Sequence, residues 1–367
     1  MLVSELQLDD FRNYVHLETD LSPEVNVIAG DNAQGKTNLL EAIFFLTSGR
    51  VFRARSDKDA IRYGCDAAAV RARFTADGRE QTMEAFLHRG RRKEFAVNGV
   101  KKRSIGEFAG ILRAVLFCPA DLNMIGAGAA ARRRVMDLCI AQLRPRYAEA
   151  LAKFGRAYEE KTRILRDAEE KPALLELLDE YDGHMAALSA ELIHYRALYV
   201  RALAPIAAAI HEEFSGGREK LELTYKTVSS IDDPTRPAAE LLPMIEEHQR
   251  AHRAAERAAR QCLTGAHKDD LEIAIDGMAA RDFASQGQMR TAALSVKLAE
   301  RELHRNDRGE YPLLLLDDVL SELDEKRQSF VLNRITGGQV FITCCEDEKI
   351  AKRTGGRVLY IREGAKV

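Results

Sequence analysis

The segment Gly30-Asp31-Asn32-Ala33-Gln34-Gly35-Lys36-Thr37 has the spacing G-x-x-x-x-G-K-[ST]. Those residue types can enclose a polyphosphate: glycines let the chain turn tightly, and successive backbone N–H groups point inward at the anion. The N–H groups from Asn32 to Lys36 would wrap a β-phosphate, and the Lys36 ammonium would reach the β- and γ-phosphates. The Thr37 hydroxyl would ligate Mg²⁺. A second magnesium anchor is expected from a neighbouring strand, and Leu313-Leu-Leu-Leu-Asp317-Asp318 supplies two carboxylates directly after four apolar residues. Asp317 would hold the metal, and Asp318 would polarise an attacking water. The chemistry implied is binding and hydrolysis of ATP.

Such a loop works only between a strand and a helix. Val25-Asn-Val-Ile-Ala29 reads as the strand, and Leu39, Leu40, Ile43 and Phe44 give Lys36 to Leu46 helical spacing. Strands are also expected at Leu2 to Leu8, Val15 to Leu17, Ile111 to Cys118, Leu271 to Ile275, Leu313 to Leu316 and Val340 to Thr343, with a hairpin turn at Asn98-Gly99. From Tyr147 the texture becomes helical, and a near-heptad stripe runs from Leu174 through Leu192 to Phe214. It predicts antiparallel helices packed as a short coiled-coil arm, ended by Gly216-Gly217. A third helix is expected over Ala238 to Cys262, then a signature-bearing helix over Gln288 to Leu303. The fold class is therefore α/β, a P-loop ATPase head with an inserted helical domain. The expected division is residues 1–125 as the first part of the head, 126–262 as the arm and 263–367 as the second part of the head.

Composition narrows the partners. The 367 residues carry a net charge of −2, so an anionic partner must be held by local patches rather than a global field. No apolar run approaches the ~20 residues of a bilayer span, and the amino terminus lacks the pattern of a signal peptide. The six cysteines include no C-x-x-C, which fits neither a disulfide framework nor a zinc site. A soluble protein of the cytoplasm is expected.

Phe283-Ala-Ser285-Gln-Gly287-Gln288 at a helix start and Ser321-Glu-Leu-Asp324 after the carboxylate strand resemble the ATP-binding-cassette class. In that class the signature serine and glycine meet the γ-phosphate of ATP bound to the other subunit, as a helix N-terminus suits an anion. The order of motifs then resembles one family along nearly the whole chain, the RecF family of bacterial recombination-repair ATPases, relatives of the SMC proteins. The shared blocks are Phe11-Arg12-Asn13-Tyr14, Asn26 to Ala42, Ser48-Gly49-Arg50, Pro119-x-Asp121-Leu122, Arg132-Arg133 with Asp137, Ser285-x-Gly287-Gln288, Asp317-Asp318 and Ser321 to Asp324.

The resemblance implies an ABC/SMC-like head that closes as an ATP-dependent head-to-tail homodimer on double-stranded DNA near single-strand gaps. It also implies action with RecO and RecR to load RecA. Lys36, Ser285, Asp317 and Asp318 would be the catalytic set. The nucleotide would be contacted by Arg12, Asn13, the run Gly30, Asp31, Asn32, Ala33, Gln34, Gly35, Lys36, Thr37 and Asn38, and by Asp121, Gly287, Gln288 and Asp324. Thr37 and Asp317 would hold Mg²⁺.

Two departures stand out. His267-Lys268-Asp269-Asp270 follows Ala266 where the family favours proline and arginine around the histidine. Cys344-Cys345 stands where transporter cassettes place a sensor histidine, which argues for slow, switch-like hydrolysis, and the resemblance implies that DNA stimulates it. The missing histidine and the arm disfavour a transporter subunit, and the absent C-x-x-C disfavours a zinc-hook nuclease ATPase. A scaffold that binds ATP without turnover stays open, because Asp318 is a shorter base than glutamate. Arg89, Arg91, Arg92, Lys93, Lys101, Lys102 and Arg103 flank one hairpin and suit either phosphate-backbone contact or a solvated face. Arg132 to Arg134 suit DNA, ATP or nearby acids.

Overall fold

The helix after the phosphate loop, Lys36–Ser48, is apolar on nearly every side, and its buried residues include Leu39, Leu40, Ile43, Phe44 and Phe45. A helix of that kind must be enclosed. In this computed structural model, which describes residues 1–53, 56–345 and 347–367, it touches strands of two different sheets. Both sheets belong to one compact unit, Met1–Leu122 with Val296–Val367, while Asn123–Ser295 forms a second unit.

The first sheet of the head is six-stranded. Its strands are antiparallel and ordered Tyr14–Asp20, Leu2–Phe11, Ala67–Ala76, Arg79–His88, Glu94–Val97 and Val100–Lys101. Its last hairpin turns at Asn98 (φ 51) and Gly99 (φ 72), the two positive dihedrals of a type I′ turn. The second six-stranded sheet is ordered Ala365–Lys366, Arg357–Arg362, Val25–Ala29, Val340–Cys344, Leu313–Asp317 and Ala114–Phe117. All its pairings are parallel except that of the short last strand of the chain. Leu313–Asp317 and Val340–Cys344 are buried at every position, as strands covered on both faces must be. Parallel pairing puts Ala29, Asp317 and Cys344 at the same carboxyl edge, where open α/β sheets bind ligands.

In the second unit Pro145–Asp167 and Leu178–Ser215 pack together, as the stripe predicts, and Ala238–Ala259 also packs on Leu178–Ser215. The arm thus packs three helices. Its long helix starts at Leu178, not Leu174, because Pro172–Leu177 forms a 3-10 turn opened by proline. The expected boundary between residues 262 and 263 is also displaced. Asp270–Ile275 pairs with Leu221–Lys226, Leu271 opposite Tyr225, so the inserted unit must complete this sheet before the chain leaves it at Ser295. Lys161, 1% exposed, links three helices of this unit by bonding Asp182 and Glu256, each at 2.7 Å.

Candidate functional site

The phosphate loop is held from three directions. Gly30 (φ 148) and Gly35 (φ 116) take dihedrals that only glycine adopts at ease, and both approaches are tight. A Cβ on Gly30 would run into the Ile361 carbonyl oxygen, and one on Gly35 would lie 2.6 Å from the Asn13 amide nitrogen. Asn13 itself donates to the Gln34 carbonyl at 2.9 Å and accepts from Asn38 at 2.8 Å, while the Tyr14 hydroxyl donates to the Gly35 carbonyl at 3.0 Å. From the carboxyl-terminal turn, Glu363 N donates to the Gln34 side chain at 2.6 Å and Gly364 N to the Gln34 carbonyl at 3.0 Å. The turn of Arg12 and Asn13 is anchored in turn: Arg12 makes a fork to the buried Glu41 at 2.7 and 3.0 Å.

Lys36 is 5% exposed and curls into the loop, donating to the carbonyls of Gly30 at 2.6 Å and Asp31 at 3.0 Å. Its ammonium also lies 3.3 Å from the Cys345 sulfur, and Cys345 lies 3.3 Å from Asn32. The Thr37 hydroxyl donates to Asp317 Oδ1 at 2.7 Å across a sequence separation of 280 residues. Asp317 is fully buried, and burial pushes its carboxyl above the usual range. Its Oδ2 has no hydrogen-bond partner among the described residues. A buried, unpartnered carboxylate oxygen beside a threonine hydroxyl is a donor set that suits a hard divalent cation.

Asp318 has φ 55 and its N–H donates to Thr343 Oγ1 at 2.8 Å. Asp318 lines a cavity of about 430 Å³ together with Asn32, Ser321, Thr343 and Cys345. Phosphate loop, carboxylates and cavity thus share one edge of the parallel sheet. Tyr14 and Glu41 lie inside shared motif blocks that give them no role of their own, whereas Thr343 and the Glu363-Gly364 turn lie outside every motif. Of those two, only Thr343, a hydroxyl near the end of a buried strand, has a local signal.

The other residues fall elsewhere. Asp324 caps the helix Glu325–Arg334 by accepting from Arg327 N at 2.9 Å. Asp121 closes its own turn by accepting from Cys118 N at 2.8 Å. Ser285, Gly287 and Gln288 open the helix Gln286–Arg308 within the second unit, so one chain carries loop and signature in separate units. There Ser285 and Gln288 form a reciprocal cap, Ser285 N to Gln288 Oε1 at 2.9 Å and Gln288 N to Ser285 Oγ at 3.2 Å.

Among the arginines, Arg132 is buried in a fork to the Asp270 carboxylate, both bonds 2.8 Å, which is the pairing with acids, while Arg133 donates to the backbone carbonyl of Asp269 at 2.5 Å. On the basic hairpin, Lys93 is paired with Asp57, and Arg91 and Lys101 with Glu94. Arg92 and Arg103 are exposed without an ion pair among the described residues.

His267 belongs to a local network and to no metal cluster among the described residues. Its ring lies 4.6 Å from Tyr158, and Nε2 donates to the Cys262 carbonyl at 3.2 Å, leaving Nδ1 buried without a partner. Burial pulls its pKa down to about 4, with Lys268, Arg133 and Lys161 adding to the effect. The fold then binds fewer protons than the unfolded chain between about pH 6.5 and 4, so stability falls as pH falls through that window. We expect a loss on the order of 2 kcal/mol from this group. Urea unfolding at pH 7.5 and 4.5 checks it: His267→Phe should shrink the difference, and an unchanged difference contradicts the assignment.

The chain matches the family model described as the RecF/RecN/SMC N terminal domain over residues 2–363. It is 39% identical to a "DNA replication and repair protein RecF" of Symbiobacterium thermophilum, covering 100% of this chain and 98% of that protein. The same named protein of Agathobacter rectalis is 37% identical, covering 96% and 94%. A solved structure of the recombination mediator protein RecF with ATP, from the RecFOR pathway, superposes with a TM-score of 0.87 at 30% identity over 100% of this chain and 97% of that one. An Smc head domain from Pyrococcus furiosus shares the fold at a TM-score of 0.55 and 17% identity.

Proposed function

Since the chain belongs to the RecF family of RecF/RecN/SMC ATPases, we propose that it is a DNA replication and repair ATPase whose ATP-bound heads close on DNA. In finer terms, two copies join head to tail on double-stranded DNA near single-strand gaps, act with RecO and RecR to load RecA, and separate after slow hydrolysis. One observation carries the nucleotide chemistry: the Thr37 hydroxyl and Asp317 meet at 2.7 Å beside the curled Lys36, leaving one buried Asp317 oxygen open.

In this reading the loop amides and Lys36 bind the β- and γ-phosphates, and Lys36 exchanges the carbonyls of Gly30 and Asp31 for phosphate oxygens. Thr37 and Asp317 would hold Mg²⁺, which when bound neutralises charge on the phosphate oxygens. Asp318, which lines the cavity, orients water toward the γ-phosphate. Ser285 and the Gly287 N–H would meet the γ-phosphate held by the second copy, with Gln288 holding the turn. Asn13 and Arg12 act by fixing the loop, and the exposed Arg92 and Arg103 suit phosphate-backbone contact. The transporter reading lacks its sensor histidine, since Cys344-Cys345 ends that strand.

The remaining reading is an ATP-binding scaffold without turnover, and Asp318→Asn separates it. Asparagine keeps the side-chain size and leaves Asp317 intact, so ATP affinity should change less than about threefold while turnover falls on the order of 100-fold, the usual worth of a general base. Phosphate release with duplex DNA present, alongside retention on that DNA, gives the answer. Long retention with ATP and little turnover is expected. Wild-type turnover in the variant removes Asp318 from the chemistry, and no turnover in the wild type makes the scaffold the better reading.

A further inference from the structure

The reciprocal cap of Ser285 and Gln288 has a third member that lies outside every motif. The Gln288 side chain has two polar ends. Its Oε1 accepts from Ser285 N, and its Nε2 donates to Glu219 Oε1 at 3.1 Å. The other oxygen of Glu219, Oε2, lies 3.1 Å from Nε2 of His211, a side chain that is 0% exposed. A carboxylate only accepts, so His211 Nε2 carries the proton here. Nδ1 lies 3.3 Å from the hydroxyl of Ser295 on the signature helix itself, a hydroxyl that donates its proton to the Thr291 carbonyl at 2.9 Å. Burial holds His211 below its ordinary pKa despite the carboxylate.

The connections therefore run from the signature turn through Glu219 to His211, whose ring lies against the same helix further along. Glu219 is placed by the end of the long arm helix, where its N–H donates to Ser215 Oγ at 3.3 Å after the glycine cap at Gly216. Next, Lys220 N donates to Asp276 Oδ1 at 2.8 Å, tying the segment to the hairpin of the three-stranded sheet. An amide clamped at both ends has one rotamer, and the helix start it caps has one direction. Orientation of that start matters because an anion gains from N–H groups only when they point at it.

We propose that Glu219 is a positioning residue for the signature: through Gln288 it fixes the Ser285 turn in the orientation that meets the second copy's γ-phosphate. His211 holds the rear of Glu219 and makes the long arm helix part of the support. This rests on the reading of Ser285 given above.

The test uses the full chain and four variants: Glu219→Ala, Glu219→Gln, Glu219→Asp and Ser285→Arg. ATP affinity at protein concentrations too low for association should stay within about twofold in all of them, because the phosphate loop is unaltered. Glu219→Ala should weaken ATP-driven association and turnover by at least about tenfold, as misplacing a contact group by an ångström does. The loss should appear as a higher protein concentration for half-maximal turnover, with the KM for ATP little changed. Glu219→Gln can still accept from Gln288 and donate to His211 in its other tautomer, so it should recover to within about threefold of wild type. If the alanine variant does not fold, Glu219→Asp retracts the carboxylate by one methylene and carries the same expectation.

A folded Glu219→Ala chain that associates and turns over like wild type, while Ser285→Arg does not, overturns the positioning role alone. A folded Glu219→Ala chain that loses monomeric ATP affinity overturns it too. Ser285→Arg associating normally overturns the reading of the signature beneath it.

Discussion

Replacing Lys36 with methionine is expected to abolish ATP binding, association and ATP-dependent DNA retention together. The side chain is buried in the loop with its ammonium on the carbonyls of Gly30 and Asp31, and in the proposed function that cation neutralises two phosphates. Losing charge-assisted bonds to both is worth about 3 kcal/mol, which is on the order of 100-fold in affinity. Methionine preserves the aliphatic length, so the loop held by Asn13, Tyr14 and Gly364 should keep its shape. Fluorescent-nucleotide titration measures the affinity, and circular dichroism checks the fold. DNA retention that remained ATP-stimulated in this variant would show that the phosphate loop does not gate it.

The second large effect comes from Ser285→Arg, which places a bulky cation at the start of the signature helix. The phosphate loop lies in the other unit of the chain and is untouched. Monomeric ATP affinity should therefore hold, while association and hydrolysis fall by at least about 100-fold, the scale of removing a transition-state donor. Mixing this variant with Lys36→Met sharpens the expectation. A head-to-tail pair then retains one intact composite site, with Lys36 from the Ser285→Arg chain and Ser285 from the Lys36→Met chain. Turnover that neither variant shows alone should partly return. Failure to recover any turnover from a pair that does form contradicts a composite site.

The chemistry was legible where residue type and spacing together carry it. The loop from Gly30 to Thr37 lies between the strand Val25–Ala29 and the helix Lys36–Ser48, and Asp317 ends the buried strand Leu313–Asp317. Apolar buried strands and a glycine-bounded loop announce themselves because their physics is local.

What stayed hidden depends on contacts distant in sequence. Gln34 is held by Glu363 and Gly364, and nothing in either dipeptide names the other. Glu219 sits after a glycine stop, where an acid before a strand reads as solvated surface, yet it meets Gln288 69 residues later. The extent of the inserted unit is hidden for a related reason: the strand Asp270–Ile275 is visible as an apolar run, but its partner Leu221–Lys226 is not, and the pairing carries the unit past the expected boundary. Arg132 and Arg133 look like an anion site in sequence, and only the fold shows Asp270 and the Asp269 carbonyl taking them up.

The central claim is that ATP, by filling the phosphate loop of one copy, recruits the signature of another. Sedimentation velocity of the wild-type chain without nucleotide, with ADP and with a non-hydrolysable ATP analogue, each with Mg²⁺, tests it most directly. The account predicts a dimer with the ATP analogue and a shift toward monomer with ADP or no nucleotide, because only a γ-phosphate reaches Ser285 of the second copy. The same sedimentation profile in all three conditions would contradict it.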